Sequence, residues 1–205
     1  MLIVDDLNAM LNRLGQRWAW RRGYRCPCVL AATNQANPAC PLCHGKAWMY
    51  APDAVEGVAA VSGAKVQKQW KDFGLYENGD VVVSVGSDSP IYAVGPYDRL
   101  RQMDSDEPFS AVWQPGQKLK FVPATIDRAF WVNGAEVHDI PPPVIGDDGT
   151  LSWTTAPPAK TLVSLTGRRP VEYFVYQDVP VARGHQLGDL LPRKVVLRRY
   201  DLLGR

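Results

Sequence analysis

The segment from residue 25 to residue 48, RCPCVLAATNQANPACPLCHGKAW, contains all 4 cysteines of the 205-residue chain. Cys26 and Cys28 form one pair and Cys40 and Cys43 form the other, at the two ends of a short loop. Two closely spaced thiol pairs joined in this way are the usual ligand set of a tetrahedral structural zinc site. The pattern predicts a four-cysteine zinc knuckle over residues 26–50, with these cysteines as its ligands.

Free buried thiols and a disulfide are the alternatives for this segment. The CxC spacing of the first pair is tighter than the usual CxxC, and His44 could replace one cysteine as a ligand. The intervening loop is small and polar, so a metal would supply the constraint that a core cannot. Four thiolates leave no open coordination position, which predicts a structural ion and not a catalytic one.

The composition is that of a globular chain, with 46% hydrophobic and 21% charged residues. The 17 prolines and 17 glycines favour short strands joined by turns. A net charge of +2 argues against a general polyanion binder. The chain has no apolar run of membrane-spanning length and no basic leader, so we expect no membrane span and folding in a reducing cytoplasm.

The N-terminal region, residues 1–25, is predicted to be an amphipathic helix over residues 4–20. Its apolar side chains recur at helical spacing, and Gly23 is the expected stop. The members of this stripe are Leu7, Met10, Leu11, Leu14 and Trp18. It could pack on this chain or on a neighbouring subunit.

Residues 51–124 and 181–205 predict a small OB-like or partly open β-barrel. Short apolar runs such as DVVVSVG and Ile91 to Val94 indicate strands, and Asn78-Gly79 indicates a turn. The closing segment RKVVLRRY, residues 193–200, is expected to be a strand that returns to this barrel.

Residues 125–180 predict an inserted, β-sandwich-like module. Asn133-Gly134 between apolar runs predicts a hairpin, and VEYFVY, residues 171–176, predicts an apolar strand. The fold as a whole is therefore expected to be mainly β, with one N-terminal helix.

The sequence contains no signature of catalysis. It has no Gly-x-Ser-x-Gly elbow, no phosphate-binding loop and no βαβ alternation. His138 and His185 are isolated. The acids Asp147-Asp148 and Asp104-x-Asp106-Glu107 stand where turns favour Asp, with a divalent-ion site as the alternative. We therefore expect no enzyme.

Aromatic residues divide into two groups by context. Those on the predicted strands, Trp131, Trp153, Tyr173 and Phe174, are expected to pack in a core. Trp18, Trp20 and Tyr24 alternate with arginines, which suits a protein anchor or a nucleic-acid contact.

Three stretches resemble structural proteins of tailed bacteriophages, in particular neck, collar or head–tail connector proteins. They are the helix leading into RCPCV and NPACPLCHGKAW, the module WVNGAEV, GTLSWTTAP and RRPVEYFVYQDVP, and the closing LPRKVVLRRYDLLG. The resemblance implies a virion component, assembled in the host cytoplasm as a homo-oligomeric ring around the DNA passage. Its partners would be other neck, portal or tail proteins, with non-specific contact to transiting DNA. The resemblance implies no catalytic residues.

Two other functions remain open from the sequence. One is a nucleic-acid-binding module made of a zinc knuckle and an OB-like barrel, which would bind single strands in a salt-dependent way. The other is a tail-associated hydrolase, which would need convergent carboxylates or an open metal site.

Overall fold

The computed structural model describes residues 3–62, 79–117, 119, 121–146, 149–158, 160–178 and 184–203. The Asp147-Asp148 pair lies outside these residues, as does Asn78 of the predicted Asn78-Gly79 turn. Contact density divides the chain into two units. Unit 1 comprises residues 1–104 and 172–205, and unit 2 comprises residues 105–171.

The N-terminal helix, α1, spans Val4–Leu14 and is shorter than predicted. Gly15 ends it, and Gln16–Arg21 forms strand β1, so the expected helix over residues 4–20 is wrong in its second half. The physical reason is that the sequence around Trp18 also alternates with period 2, and strands are available on both sides of it. Trp18 is 1% exposed within the barrel and does not extend the helical stripe.

In the described residues, a closed barrel of six strands forms the body of unit 1. The helix α1 belongs to the same unit. Its strands are β1 and, further along the chain, β4 (Val55–Val61), β5 (Val81–Val85), β6 (Arg99–Trp113), β11 (Val163–Asp178) and β14 (Arg193–Arg199). Strands β6 and β11 are long and continue into unit 2. The predicted mainly-β fold with an N-terminal helix is thus confirmed, as is the closing strand.

Antiparallel pairing closes the barrel. Strand β1 lies between β4 and β6, with Trp18 opposite Gly57 on one side and Gln102 on the other. Strand β14 pairs with β5 and also with β11, so the row of six strands from β14 to β11 closes on itself. Closure leaves no strand edge of the barrel unpaired in the described residues.

The barrel core is built from Val-rich strands. Val82 and Val83 are both buried, as are Val195, Val196 and Leu197. Because successive side chains of a strand point to opposite faces, consecutive burial means that both faces of β5 and β14 are covered. The predicted strand at Ile91 to Val94 is wrong, because these residues lie in turns. Ile91 is nevertheless buried.

Unit 2 is a small antiparallel sheet whose strand order is β6, β11, β7 (Thr125–Asn133) and β8 (Glu136–Ile140). The predicted hairpin joins β7 and β8, and Gly134 has a positive φ of 61°. A ribbon of β9 (Val144–Ile145) and β10 (Leu151–Ser152) completes the unit. Its core contains Trp113, Ile126, Ala129, Val163 and Leu165, with Trp131 and Trp153 packed against it. The expected core role of these aromatics is confirmed.

Four further short strands belong to unit 1. β2 (Gly23–Arg25) pairs with β3 (Trp48–Tyr50), and β12 (His185–Gln186) pairs with β13 (Asp189–Leu190). A 3-10 turn, Tyr200–Leu202, follows β14. No helix in the described part of the chain has the length and apolar character needed to cross a membrane.

Candidate metal centre

The cysteine segment is an excursion at the end of a two-stranded stem made by β2 and β3. Arg25 lies opposite Trp48, and the Cys26 N–H donates to the Ala47 carbonyl at 2.8 Å, which extends the ladder by one bond. The stem begins at Gly23. A Cβ at Gly23 would lie 2.8 Å from the Tyr97 carbonyl oxygen, so only glycine permits this close approach.

A tight turn follows each cysteine pair. After Cys28 the chain forms the turn Leu30 to Gln35, and the Leu30 N–H donates to the Gln35 carbonyl at 3.0 Å. After the second pair, His44 and Gly45 have positive φ angles of 50° and 79°. The Lys46 N–H then donates to the Cys43 carbonyl at 2.9 Å. These turns direct both pairs of thiols to the same side of the loop.

The four sulfurs converge on one point, and each lies within 4.8 Å of the others. The Sγ atoms of Cys26 and Cys40 are 3.8 Å apart, and those of Cys28 and Cys43 are 3.5 Å apart. Bonds of about 2.3 Å to a tetrahedral ion would place the sulfurs about 3.8 Å apart, whereas a disulfide requires about 2.05 Å. The donor set therefore fits a tetrahedral metal ion, and all four thiols are free.

Burial and main-chain dipoles act on the thiols in opposite directions. The N–H groups of Cys43 and Leu42 donate to Cys40 and lower the pKa of its thiol to about 6. Desolvation raises the pKa of Cys28 to about 12. Three of the four cysteines are buried, with Val29, Ala36 and Met49 packed around them. A closed group of soft sulfur ligands with little exposure is suited to holding an ion, not to binding a substrate at it.

The other residues singled out by the sequence lie apart from this centre. His44 is exposed and does not belong to the sulfur cluster. His138 stacks on Trp131, with ring centroids 4.2 Å apart, and His185 is exposed on β12.

The acidic run that could have held a divalent ion is paired with arginines. Asp104 accepts two hydrogen bonds from Arg17. In unit 2, Asp106 pairs with Arg168, and Glu107 pairs with Arg169 at 2.6 Å. Among the described residues, the sulfur cluster is the one group of three or more potential metal ligands within reach of a common ion.

Several arginines near the two ends of the sequence also have carboxylate partners. Arg22 lies 3.6 Å from Asp98, Arg193 pairs with Asp178, and Arg198 makes a bidentate contact with Asp80. The positive charge of these three arginines is thus compensated by carboxylates.

Trp20 and Trp18 serve the barrel and not a ligand surface. The Trp18 indole N–H donates to the Ala59 carbonyl at 3.2 Å, and the Trp20 indole donates to Asp98 at 2.7 Å. Tyr24 is the exposed member of the group.

Two structural residues of this region were not recognised in the sequence. Asp98 is buried and accepts hydrogen bonds from the Gly23 and Gly95 N–H groups at 2.7 and 2.8 Å, as well as from Trp20. It thereby anchors the first residue of the stem. Lys46 reaches from the loop to the Leu203 carbonyl at 3.1 Å. An Asp in a Gly-Pro-Tyr-Asp turn hints at the first role, but no local signal indicates the second.

No protein-family model matches the sequence, and none of the curated proteins compared with it matches either.

Proposed function

We propose that the protein is a non-enzymatic structural component of a tailed-phage virion, a ring-forming subunit of the head–tail junction. The resemblance of the three sequence stretches described above supplies the phage assignment. The geometry supports a structural role by its own logic. A scaffold that holds surfaces in place needs a closed body and rigid projections, and it has no need of a reactive site.

The observation that carries this proposal is the closed four-sulfur centre on its stem. All four ligand positions are filled by Cys26, Cys28, Cys40 and Cys43, so a bound ion has no free position for water or substrate. Such an ion stiffens a loop that has few apolar side chains of its own.

We assign Zn²⁺ as the ion of this centre. Four thiolates arranged tetrahedrally are a common ligand set of structural zinc sites, and Zn²⁺ is not redox-active. Fresh protein purified under reducing conditions should contain about one zinc per chain. Absence of zinc, measured by elemental analysis, would contradict the assignment. Cys40→Ser should weaken the binding and destabilise residues 26–47 before the barrel.

The surfaces that a ring subunit would offer to its neighbours include the outer stripe of α1. Met10 and Leu14 are 42% and 64% exposed, and Ile3 is exposed beside them. Apolar side chains left in solvent on one helix face are typical of a surface that becomes covered on assembly.

Native mass spectrometry tests the proposed assembly. The purified protein, alone or mixed with portal and neck proteins encoded by neighbouring genes, should form closed rings. Leu14→Ser should weaken ring formation, while Arg13→Ser, at the adjacent exposed position of α1, should not. A protein that stays a monomer in every mixture contradicts the proposal.

Two observations weigh against the rival functions. Pairing of several arginines near the chain ends with carboxylates reduces the positive charge that a nucleic-acid groove would need. Pairing of Asp104 and its neighbours with arginines likewise leaves that acidic run without free carboxylates for hydrolysis. A gel-shift assay with single-stranded DNA at low salt separates the first rival from a structural role.

A further inference from the structure

We infer that the metal centre controls the docking of the chain's carboxyl-terminal turn, residues 200–203, against the cysteine loop. The inference rests on the metal site proposed above but not on the place of the protein in a virion. It concerns a conformational link between the cysteine loop and the turn, whose contacting residues Lys46 and Leu203 are 157 positions apart in the sequence.

Lys46 makes the direct connection. It lies three residues after the ligand Cys43, and its main chain is fixed by the hydrogen bond to the Cys43 carbonyl. Its ammonium group donates to the carbonyls of Tyr200 and Leu203, at 3.3 and 3.1 Å. These are carbonyls at the end of a short helical turn, where a cation is favourably placed. The Leu203 N–H also donates to the Tyr200 carbonyl. The Lys46 ammonium therefore binds the carbonyls of both the first and the last residue of the turn.

An aromatic contact strengthens the same link. The Lys46 ammonium lies 4.7 Å from the centre of the Tyr200 ring, which packs edge-on against Tyr50 with centroids 5.6 Å apart. Tyr50 is the last residue of the stem strand β3, so the turn touches the loop and its stem together. Leu203 itself is buried, with 7% of its surface exposed.

The geometry makes the link dependent on the metal. Lys46 directly follows His44 and Gly45, the two residues whose positive φ angles form the turn after the second cysteine pair. A loop with so few apolar contacts loses its order when the ion leaves, and Lys46 then loses its fixed position. Because such coupling is reciprocal, a loosened turn must also weaken metal binding.

Hydrogen exchange and metal competition test both directions. The full-length protein is loaded with Zn²⁺, and amide exchange of residues 200–203 is followed with and without a chelator. Chelation should speed this exchange while the amides of β5, in the barrel wall, keep their protection. In the zinc-loaded Lys46→Ala variant the turn should exchange as fast as in the chelated protein. Its zinc affinity, measured against a chromophoric chelator, should fall about five-fold or more.

Two further variants separate a link from a local defect of the loop. Leu203→Ala changes the turn at a residue that lies outside the cysteine loop, and reciprocity requires that it also lower zinc affinity. Lys194→Ala, which removes a half-buried lysine from a barrel strand, should leave both zinc affinity and turn exchange unchanged.

The possible results are distinct. If zinc binds tightly but chelation and Lys46→Ala leave exchange at residues 200–203 unchanged, the link is refuted and the metal site stands. If Leu203→Ala leaves zinc affinity unchanged, reciprocity fails and the link is refuted as well. If no zinc binds, the metal site fails and this inference fails with it.

Discussion

Replacing Asp98 should destabilise unit 1 strongly, because this carboxylate satisfies three donors in a buried place. It is 1% exposed and receives hydrogen bonds from the Trp20 indole and the Gly23 and Gly95 main chain, all at 2.7 to 2.8 Å. Asp98→Ala leaves these three N–H groups without an acceptor. A fully buried donor left without an acceptor costs about 1–3 kcal/mol, and these three donors are partly buried.

The expected loss for Asp98→Ala is about 3–5 kcal/mol, less than the full sum because water can enter the space that the carboxylate leaves. That is a large part of the stability of about 5–15 kcal/mol that a domain of this kind has. Asp98→Asn keeps one oxygen but turns an amide donor towards another donor, so it should lose about 2–3 kcal/mol.

Urea unfolding followed by circular dichroism and tryptophan fluorescence measures these changes. The exposed Asp53→Ala variant, near the end of the same stem, is the control and should unfold with the wild-type midpoint. A double-mutant cycle isolates the indole bond, since Trp20→Phe should cost less in the Asp98→Ala background than in the wild type. A loss below about 1 kcal/mol for Asp98→Ala would refute this account of the network.

The remaining predictions concern close packing and alkaline pH. Gly15→Ala should destabilise the protein by about 1–3 kcal/mol in urea unfolding, because a Cβ there would lie 2.6 Å from a helix carbonyl oxygen. Gly167→Ala should cost a similar amount, since its Cβ would lie 2.8 Å from a main-chain carbon of β7, whereas Gly184→Ala, with nothing within 4 Å, should be neutral. Burial raises the pKa of Tyr50 and of Tyr200 above 10.0, so the native state holds these protons longer than the unfolded chain does. Stability should therefore be intact below about pH 10 and fall above it, and Tyr50→Phe should reduce the fall measured by urea midpoints.

The candidate site could be predicted from the sequence because its information is local. Four cysteines within 18 residues can meet only by folding the loop between them, whatever the rest of the chain does. The Asn133-Gly134 hairpin was predictable for the same reason, since a turn type demands particular residues at particular places.

The features that the sequence did not reveal depend on distant partners. Residues 16–20 satisfy a helical stripe as well as a strand, and pairing with β4 and β6 decides between them. Strand β6 runs for 15 residues through an acidic, proline-containing sequence without clear alternation, because different neighbours contact it along its length. The contact of Lys46 with Leu203 has no local sequence signal at all.

The two pairings of strand β14 determine when the barrel can close during synthesis. This strand closes the barrel on two sides, to β5 and to β11, yet it consists of residues 193–199. The barrel can therefore close only after those residues have left the ribosome, and until then the edges of β5 and β11 stay open. The cysteine loop is complete roughly 150 residues earlier, within one short segment, and needs only an ion to order it. At the proposed metal site, the nascent chain would bind its ion long before the barrel closes, and the loop would be ordered when the turn at residues 200–203 docks on it.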